Sequence, residues 1–173
     1  KTLKWAAILC FIVAMAVLLG GGVAMKNNLP PYPAKVVDSG GEVLFERSDI
    51  IAGQDVYQRF GLMDHGAVWG HGSQRGSEFS ATSLHIVAEA IGDYLAMADY
   101  GKNYAQLDDL QKEIINVKTR AEIKPNRYDA DSDTLKLTDA QVEGLGRVVK
   151  HWKKTFKDGE TRYGFLPGTI KDE

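Results

Sequence analysis

Cysteine is almost missing from this sequence of 173 residues. Cys10 is the only one, and none follows it. The rest of the chain therefore cannot form a disulfide, a thiolate metal site, an iron–sulfur cluster or a C-x-x-C-H attachment for haem. The chain also contains no H-E-x-x-H pattern, no Ser–His–Asp arrangement and no phosphate-binding glycine loop between a strand and a helix. We therefore predict no catalytic residue and no cofactor-binding residue in this chain.

An excess of positive charge is also lacking. The formal net charge is −2, and every acidic residue lies after Lys26. This balance argues against nucleic acid as a partner and against docking on an anionic membrane surface. There are no internal repeats.

One long uncharged run is present, from Trp5 to Met25. A helix of this length spans about 30 Å, the thickness of a bilayer's hydrocarbon core. Lys1 and Lys4 precede it, so the positive-inside rule places residues 1–4 in the cytoplasm and the remainder outside the inner membrane, in the periplasm. A signal peptide is the alternative, but its apolar region usually has about 7–15 residues. We predict a single-pass anchor over residues 5–25.

The remainder is large enough for one globular domain. We predict a linker over 26–34, a mainly α domain over 35–158 and an unstructured tail over 159–173. Short β runs at Lys35–Val37 and Glu42–Phe45 flank Asp-Ser-Gly-Gly and predict a hairpin. Asn126–Asp133 is predicted to be a polar loop.

Four helices are predicted from caps and from apolar spacing. They begin at Ser48 or Asp49, at Ala81, at Asp108 or Asp109, and at Thr138 with Gln141 as its capping-box partner. The residues expected to face inward are Ile50, Val56, Tyr57 and Phe60; Leu84, Val87, Ala88, Ile91 and Leu95; Leu110, Ile114, Val117 and Ala121; and Val142, Leu145, Val149 and Trp152.

The segment Gly61–Ser80 has little periodicity and five glycines up to Gly76, together with Trp69. Glycine is needed where φ is positive or where the backbone approaches another body closely. One interpretation is a loop pressed against a cofactor or a partner, offering backbone carbonyls as ligands. The other is an irregular surface loop.

The histidines raise a metal hypothesis. His65, His71 and His85 could gather around one ion with Asp64 or Glu78, although their spacing matches no zinc pattern. His85 and Glu89 are four residues apart on a predicted helix, which favours a surface ion pair of little energetic value.

The order of segments nevertheless resembles a known family. The anchor, LPPYPAKVV, the GGEVLF hairpin, IIAGQDVYQRFGLMDHGAVWGHGS, a helix opening SATSLH and YDADSDTLKLT are similar to the N-terminal part of quinol-dependent nitric oxide reductases. That part of the family has an anchor helix and a cytochrome c-like fold that has lost its haem. The stretch GLMDHGAVWGHG stands where a C-x-x-C-H motif would follow the first cytochrome helix.

The resemblance implies that the chemistry lies in a partner. It implies a multi-span, haem-copper-oxidase-like subunit or domain that binds haem b, haem b3 and a non-haem iron and reduces two NO to N2O with electrons from membrane quinol. The tail at 159–173 would lead toward that bundle. The present chain would be a structural support in a denitrification enzyme.

The resemblance also implies an interface and a calcium site. Trp69, Gly70 and His71 would contact the partner. Gly72 and Gln74 would offer oxygen atoms to a calcium ion between haem propionates. The family has tyrosine where Gln74 stands, which also fits the branch of NO dismutases that form N2 and O2. A single-pass periplasmic binding or assembly module is the alternative from another class.

A haem-free domain of this fold must fill the vacated space with side chains, because a large cavity would cost several kcal/mol. We predict that Leu62, Met63, Trp69 and Phe79 fill it.

Overall fold

The computed structural model describes residues 2–73, 76–168 and 170. The chain divides into two compact units, Lys1–Tyr32 and Pro33–Glu173.

The first unit is one apolar helix, α1, which runs from Thr2 to Asn27 and contains the predicted anchor. None of its side chains is buried, and its length and composition suffice to cross a membrane. Lys4 and Lys26 lie near its two ends, and the uncharged stretch between them, without intramolecular cover, fits a membrane anchor.

The second unit is mainly helical, as predicted. Its four helices are α2 (Arg47–Arg59), α3 (Phe79–Tyr100), α4 (Asp109–Ile123) and α5 (Asp139–Asp158). The central helix is α3, which packs against both α4 and α5.

The predicted hairpin is confirmed and belongs to a larger sheet. Strands β1 (Lys35–Val37) and β2 (Val43–Glu46) pair antiparallel. The other two strands are β6 (Tyr128–Asp129) and β7 (Thr134–Lys136), and the order across the sheet is β2-β1-β7-β6.

The prediction of a polar loop over 126–133 was therefore wrong at Tyr128–Asp129, which form β6. Its polar residues build the turn between β6 and β7. The Asp129 carboxylate accepts hydrogen bonds from the Asp131 amide at 3.1 Å and the Ser132 hydroxyl at 2.6 Å. Asp133 takes a left-handed backbone (φ 49°) and accepts from the Tyr128 hydroxyl at 2.8 Å. Aspartate tolerates that conformation better than most residues, and this closes the turn.

Helix starts follow the predictions to within a few residues. Thr138 and Gln141 form the predicted capping box of α5, and Asp108 caps α4. Glu46, rather than Ser48 or Asp49, caps α2, with Asp49 as its capping-box partner. Side-chain acceptors at these positions satisfy amides that lack helical partners.

The inward faces are confirmed for α2 and for most of α3, where Ile91 is completely buried. Leu84 and Val149 are exposed, at 55% and 43%.

The inward face predicted for α4 was wrong. Its buried residues are Ile115 and Thr119, whereas the predicted inward residues are all exposed. The reason lies in α3, where Gly92 leaves room for this contact. A Cβ at Gly92 would lie 3.7 Å from Thr119 Oγ1 and 3.9 Å from Ile115 Cγ2. In this rotation of α4 Lys118 also donates to Asp99 of α3, at 2.5 Å.

Candidate functional site

The segment Gly61–Ser80 begins with a short 3-10 helix, Leu62–Asp64, and continues into a small second sheet. Its strands are β3 (Gly66–Val68), β4 (His71–Gly72) and β5 (Ser77–Glu78), in the order β4-β3-β5. The described part of the segment thus forms a hairpin with a third strand, and α3 begins directly after β5.

An aromatic cluster adjoins this sheet, since His65 directly precedes β3 and Phe79 directly follows β5. Its rings come from the start of the segment, the start of α3, the C-terminal half of α5 and the tail. They are His65, Phe79, Trp152, Phe156, Tyr163 and Phe165, and the ring centroids of neighbours lie 4.9–6.2 Å apart. Tyr57 of α2 adds an edge contact to Phe79 at 6.3 Å. Five of these seven contacts are edge-to-face or stacked, the geometries that aromatic pairs prefer, and the other two are tilted.

Phe165 lies at the centre of the cluster and is 1% exposed. Its ring lies 4.9 Å from His65 and 5.1 Å from Phe156, measured between centroids. The prediction of an unstructured tail was therefore wrong for its first part, where Thr161–Tyr163 form a 3-10 helix and Glu160 pairs with Phe165. In the sequence this part shows only two aromatic residues, Tyr163 and Phe165, among glycines. Such a stretch has neither the helical nor the strand periodicity that would predict structure.

The prediction of four fillers was half right. Leu62 is 5% exposed, and Phe79 contacts Trp152 and Phe165 within the aromatic cluster. Met63 and Trp69 are exposed, at 51% and 81%. Residues from α5 and the tail occupy the interior instead, because the hairpin carries Trp69 away from it.

The hairpin tip, Val68–His71, is a tight two-residue turn. Trp69 and Gly70 both have positive φ, 53° and 76°, as in the turns that match the twist of paired strands. This conformation is unusual for tryptophan. Backbone strain beside an exposed aromatic side chain is typical of sites where the surrounding structure imposes the geometry.

Glu78 holds the tip in place. Its carboxylate accepts from the Ala81 amide as the N-cap of α3 and from the Gly70 amide at 3.4 Å. The Trp69 amide donates to the Ser80 hydroxyl at 3.2 Å. The hydrogen bond from Ala81, helped by those from the tip, lowers the pKa of Glu78 below its ordinary value.

Position 72 requires glycine for two reasons, its positive φ and the close approach of another part of the backbone. Its φ is 129°, and a Cβ there would lie 2.3 Å from the Gly66 carbonyl oxygen. It lies on β4, the edge strand of the small sheet. Gln74, predicted with Gly72 as a calcium ligand, lies outside the described residues.

The three histidines of the metal hypothesis do not lie together in the structure. His65 stacks in the aromatic cluster, His71 is exposed on β4, and His85 pairs with Glu89 at 3.2 Å on the surface of α3. Among residues 2–73, 76–168 and 170, no group of three or more His, Cys, Asp or Glu side chains could hold a metal ion. The surface pair is confirmed.

Trp69, Gly70 and His71 remain the predicted interface. All three are exposed at the hairpin tip, so they lie together as the prediction requires. The arrangement presents an indole on a strained, hydrogen-bonded turn. It offers a surface for contact.

Two comparisons with known proteins bear on the site. The family model for the cytochrome c-like domain of NorB, a component of nitric oxide reductase, matches residues 33–173. No curated protein matches the chain.

Proposed function

The chain belongs to the NorB family of nitric oxide reductase proteins, through their cytochrome c-like domain, and we propose that it is the haem-free, structural part of a quinol-dependent enzyme. The family places it in a larger membrane oxidoreductase complex with a catalytic subunit. Our proposal adds the electron donor, the reaction and the role of this part.

The aromatic cluster is the observation that carries the proposal. Cytochrome c-like domains bind haem against the first helix and the motif that follows it, and here that stretch is Gly61, Leu62, Met63, Asp64 and His65. The domain has no cysteine for covalent attachment, and His65 packs against Phe165 inside a set of rings. These residues do not fit a covalently held haem. Covalently bound haem is the group through which a cytochrome c subunit receives electrons, so a domain that does not fit it supports quinol as the donor.

The catalytic part would then lie in the partner. It would hold haem b, haem b3 and a non-haem iron, which supply the redox chemistry for converting two NO to N2O. The present chain contributes no catalytic residue in this proposal. Its residues would stabilise the outer face of the catalytic bundle, and α1 would hold the domain at that membrane.

The hairpin tip is the proposed contact with the partner. Trp69 is 81% exposed on a backbone held by Glu78 and Ser80, so little ordering of the turn would be needed on binding. Exposed tryptophans of this kind are the residues that most often dominate binding energy in interfaces.

The same proposal includes a calcium ion next to the tip. Gly72 would supply its carbonyl oxygen and Gln74 its amide oxygen, both hard neutral ligands that suit calcium. Support comes from Gly72, whose backbone conformation excludes a side chain. Replacing Gln74 by Leu in the purified complex should lower bound calcium, measured by elemental analysis, and reduce the haem content. Unchanged calcium would remove Gln74 from the ligand set.

The whole proposal is tested by purifying the intact complex from membranes through a tag on this chain. We expect a haem-rich partner with b-type absorption and no c-type band, and NO consumption supported by quinol but not by reduced cytochrome c. A c-type band in this chain would contradict the proposal. Recovery of the chain without any haem protein would favour a binding or assembly module.

The NO dismutase branch is the second candidate, favoured by glutamine at position 74 where the family has tyrosine. Isotopically labelled NO separates the two reactions. A reductase yields labelled N2O, whereas a dismutase yields labelled N2 with O2.

The orientation of the chain is also part of the proposal. A cysteine at Ser132, in the exposed β6–β7 turn, should react with a membrane-impermeant reagent in sealed cells, with Cys10 replaced by Ser. Protection of that cysteine until lysis would place the domain on the cytoplasmic side.

A further inference from the structure

Helix α4 carries an apolar stripe that the described part of its own domain leaves uncovered. Leu110, Ile114 and Val117 are 73%, 39% and 56% exposed, and Ala121 is also exposed. Their spacing of four, three and four residues is that of the seam between two paired helices. The sequence pattern alone assigned this stripe to the core.

The domain does not need this stripe for its own packing. Helix α4 binds α3 through Ile115 and Thr119, which lie on the other side of the helix. A helix with one apolar face on its own core and a second apolar face in solvent usually has a second binding partner.

Opposite charges border the stripe. Glu113 and Arg120 lie seven residues apart along the same edge, and both are exposed. Neither forms an ion pair with a described residue. The edge is therefore acidic toward the start of the helix and basic toward its end.

We infer that this stripe binds the same stripe of a second copy of the chain, with the two α4 helices antiparallel. In that arrangement Leu110 faces Ala121 of the partner subunit, and Ile114 faces Val117 of the partner subunit. At each end of the helix pair, the large Leu110 side chain of one copy therefore meets the small Ala121 side chain of the other. Glu113 lies opposite Arg120 of the partner subunit, and the twofold symmetry forms this pair twice.

The charges favour the antiparallel arrangement over a parallel one. Parallel helices of this register would place Glu113 near Lys118 of the partner subunit, but Asp99 already holds the Lys118 ammonium at 2.5 Å. They would also place Arg120 near Pro125, which has no charge. The antiparallel pair uses the charges of both Glu113 and Arg120 and leaves the Lys118–Asp99 pair intact.

The contact is small, and the membrane anchor compensates for this. One helix pair buries less than the roughly 1,200–2,000 Å² of a standard interface. Anchors such as α1 confine both copies to one membrane, which raises their effective concentration. Pairing is therefore expected for the anchored chain in its membrane.

Cysteine cross-linking tests the geometry in isolated membranes with the full chain. Cys10→Ser first removes the only native thiol. In that background the double variant Ile114→Cys/Val117→Cys should give a disulfide-linked dimer with a mild oxidant, because these two positions face each other across the pair. Each single variant should cross-link much less. The control double variant His85→Cys/Glu89→Cys, on the exposed face of α3, should stay monomeric.

Charge reversal tests the register in the cross-linking background. Glu113→Arg places like charges opposite each other twice, and we expect the cross-linked fraction to fall roughly tenfold. Adding Arg120→Glu should restore it. Circular dichroism checks that the exposed substitutions leave the fold unchanged.

Absence of the 114–117 cross-link, or failure of the double reversal to restore it, would overturn the inference. If Val117→Ser instead releases a haem protein from the complex while no cross-link forms, the stripe binds the catalytic partner. The cross-linking readout involves neither haem nor activity, so it can fail independently of the proposed function.

Discussion

Two aromatic residues of the segment Gly61–Ser80 lie only ten positions apart and have opposite environments. Phe79 packs between Trp152 and Phe165 in the aromatic cluster, with ring centroids 5.1 and 6.2 Å away. Trp69 is 81% exposed at the hairpin tip. Both are large and apolar, so hydrophobicity does not explain the difference.

The backbone explains it. Phe79 is the first residue of α3, and that helix packs closely on α5, which supplies Trp152 and Phe156. Trp69 occupies a turn with positive φ whose amides bind Ser80 and Glu78. The aromatic cluster therefore stabilises the domain, whereas the tip is held by polar contacts and leaves its indole available. Substitutions should separate these two roles.

The largest loss of stability is expected from Phe165→Ala. Removing a completely buried aromatic side chain typically costs about 3–5 kcal/mol through lost burial and the remaining cavity. Chemical denaturation of the purified protein, followed by circular dichroism, measures the change. Leu166→Ala is the matched control, because its side chain is 74% exposed and should cost little. Equal losses at the two positions would show that the tail does not pack as described.

Gly72→Ala should have the next largest effect. The new Cβ meets the Gly66 carbonyl oxygen at 2.3 Å and requires φ of 129°, so we expect a loss of about 1–3 kcal/mol in the free energy of unfolding. Gly70→Ala is the control for backbone strain alone. Its φ is 76° but no atom lies within 4 Å of the added Cβ, so its cost should be smaller. A larger loss at Gly70 would mean that β4 can move away.

These cases show what the sequence could predict. Helices α2 to α5 and the β1–β2 hairpin follow from caps, turn residues and apolar spacing, which act locally. Trp69 was predicted both as a filler, because it lies in the segment that stands in place of the haem motif, and as a contact with the partner. No local signal reports that a turn carries it outward. Phe165 was missed because its burial depends on a contact with His65, 100 positions earlier in the chain.

Helix α4 is a second case in which local sequence patterns did not predict a long-range contact. Its spacing correctly indicated an apolar face at Leu110, Ile114 and Val117, but spacing does not specify what covers that face. Instead Ile115 and Thr119 are buried, because Gly92 of α3 leaves room for them. A single glycine in another helix gives no periodic signal that could predict this contact.

Trp69→Gly should change stability by no more than about 1 kcal/mol. Glycine relieves the positive φ of residue 69, which stabilises the fold, but it also raises the entropy of the unfolded chain by a similar free energy. Recovery of the catalytic partner in a pull-down should nevertheless fall sharply if the tip is the interface. Met63→Ala is the control, because Met63 is an exposed apolar residue of the same segment and should leave recovery unchanged. Full recovery with Trp69→Gly would place the interface elsewhere.

The smallest effect is the pH dependence of the tip, which Glu78 controls. Hydrogen bonds from the Ala81, Gly70 and Trp69 amides lower the pKa of Glu78 in the folded protein, so protonation is easier in the unfolded chain. The stabilisation is therefore fully present above the ordinary value of 4.5 and is lost as the pH falls through the lower pKa of the folded state. Amide hydrogen exchange at Gly70 and Ala81, corrected for its intrinsic pH dependence, should show loss of protection over that acidic range.

In Glu78→Gln the side chain still accepts a hydrogen bond but does not titrate, so protection should be lower at neutral pH and nearly independent of pH. Protection that falls in the same way in both proteins would assign the acid sensitivity to another carboxylate and leave the tip held by Ser80 and the strand pairing alone.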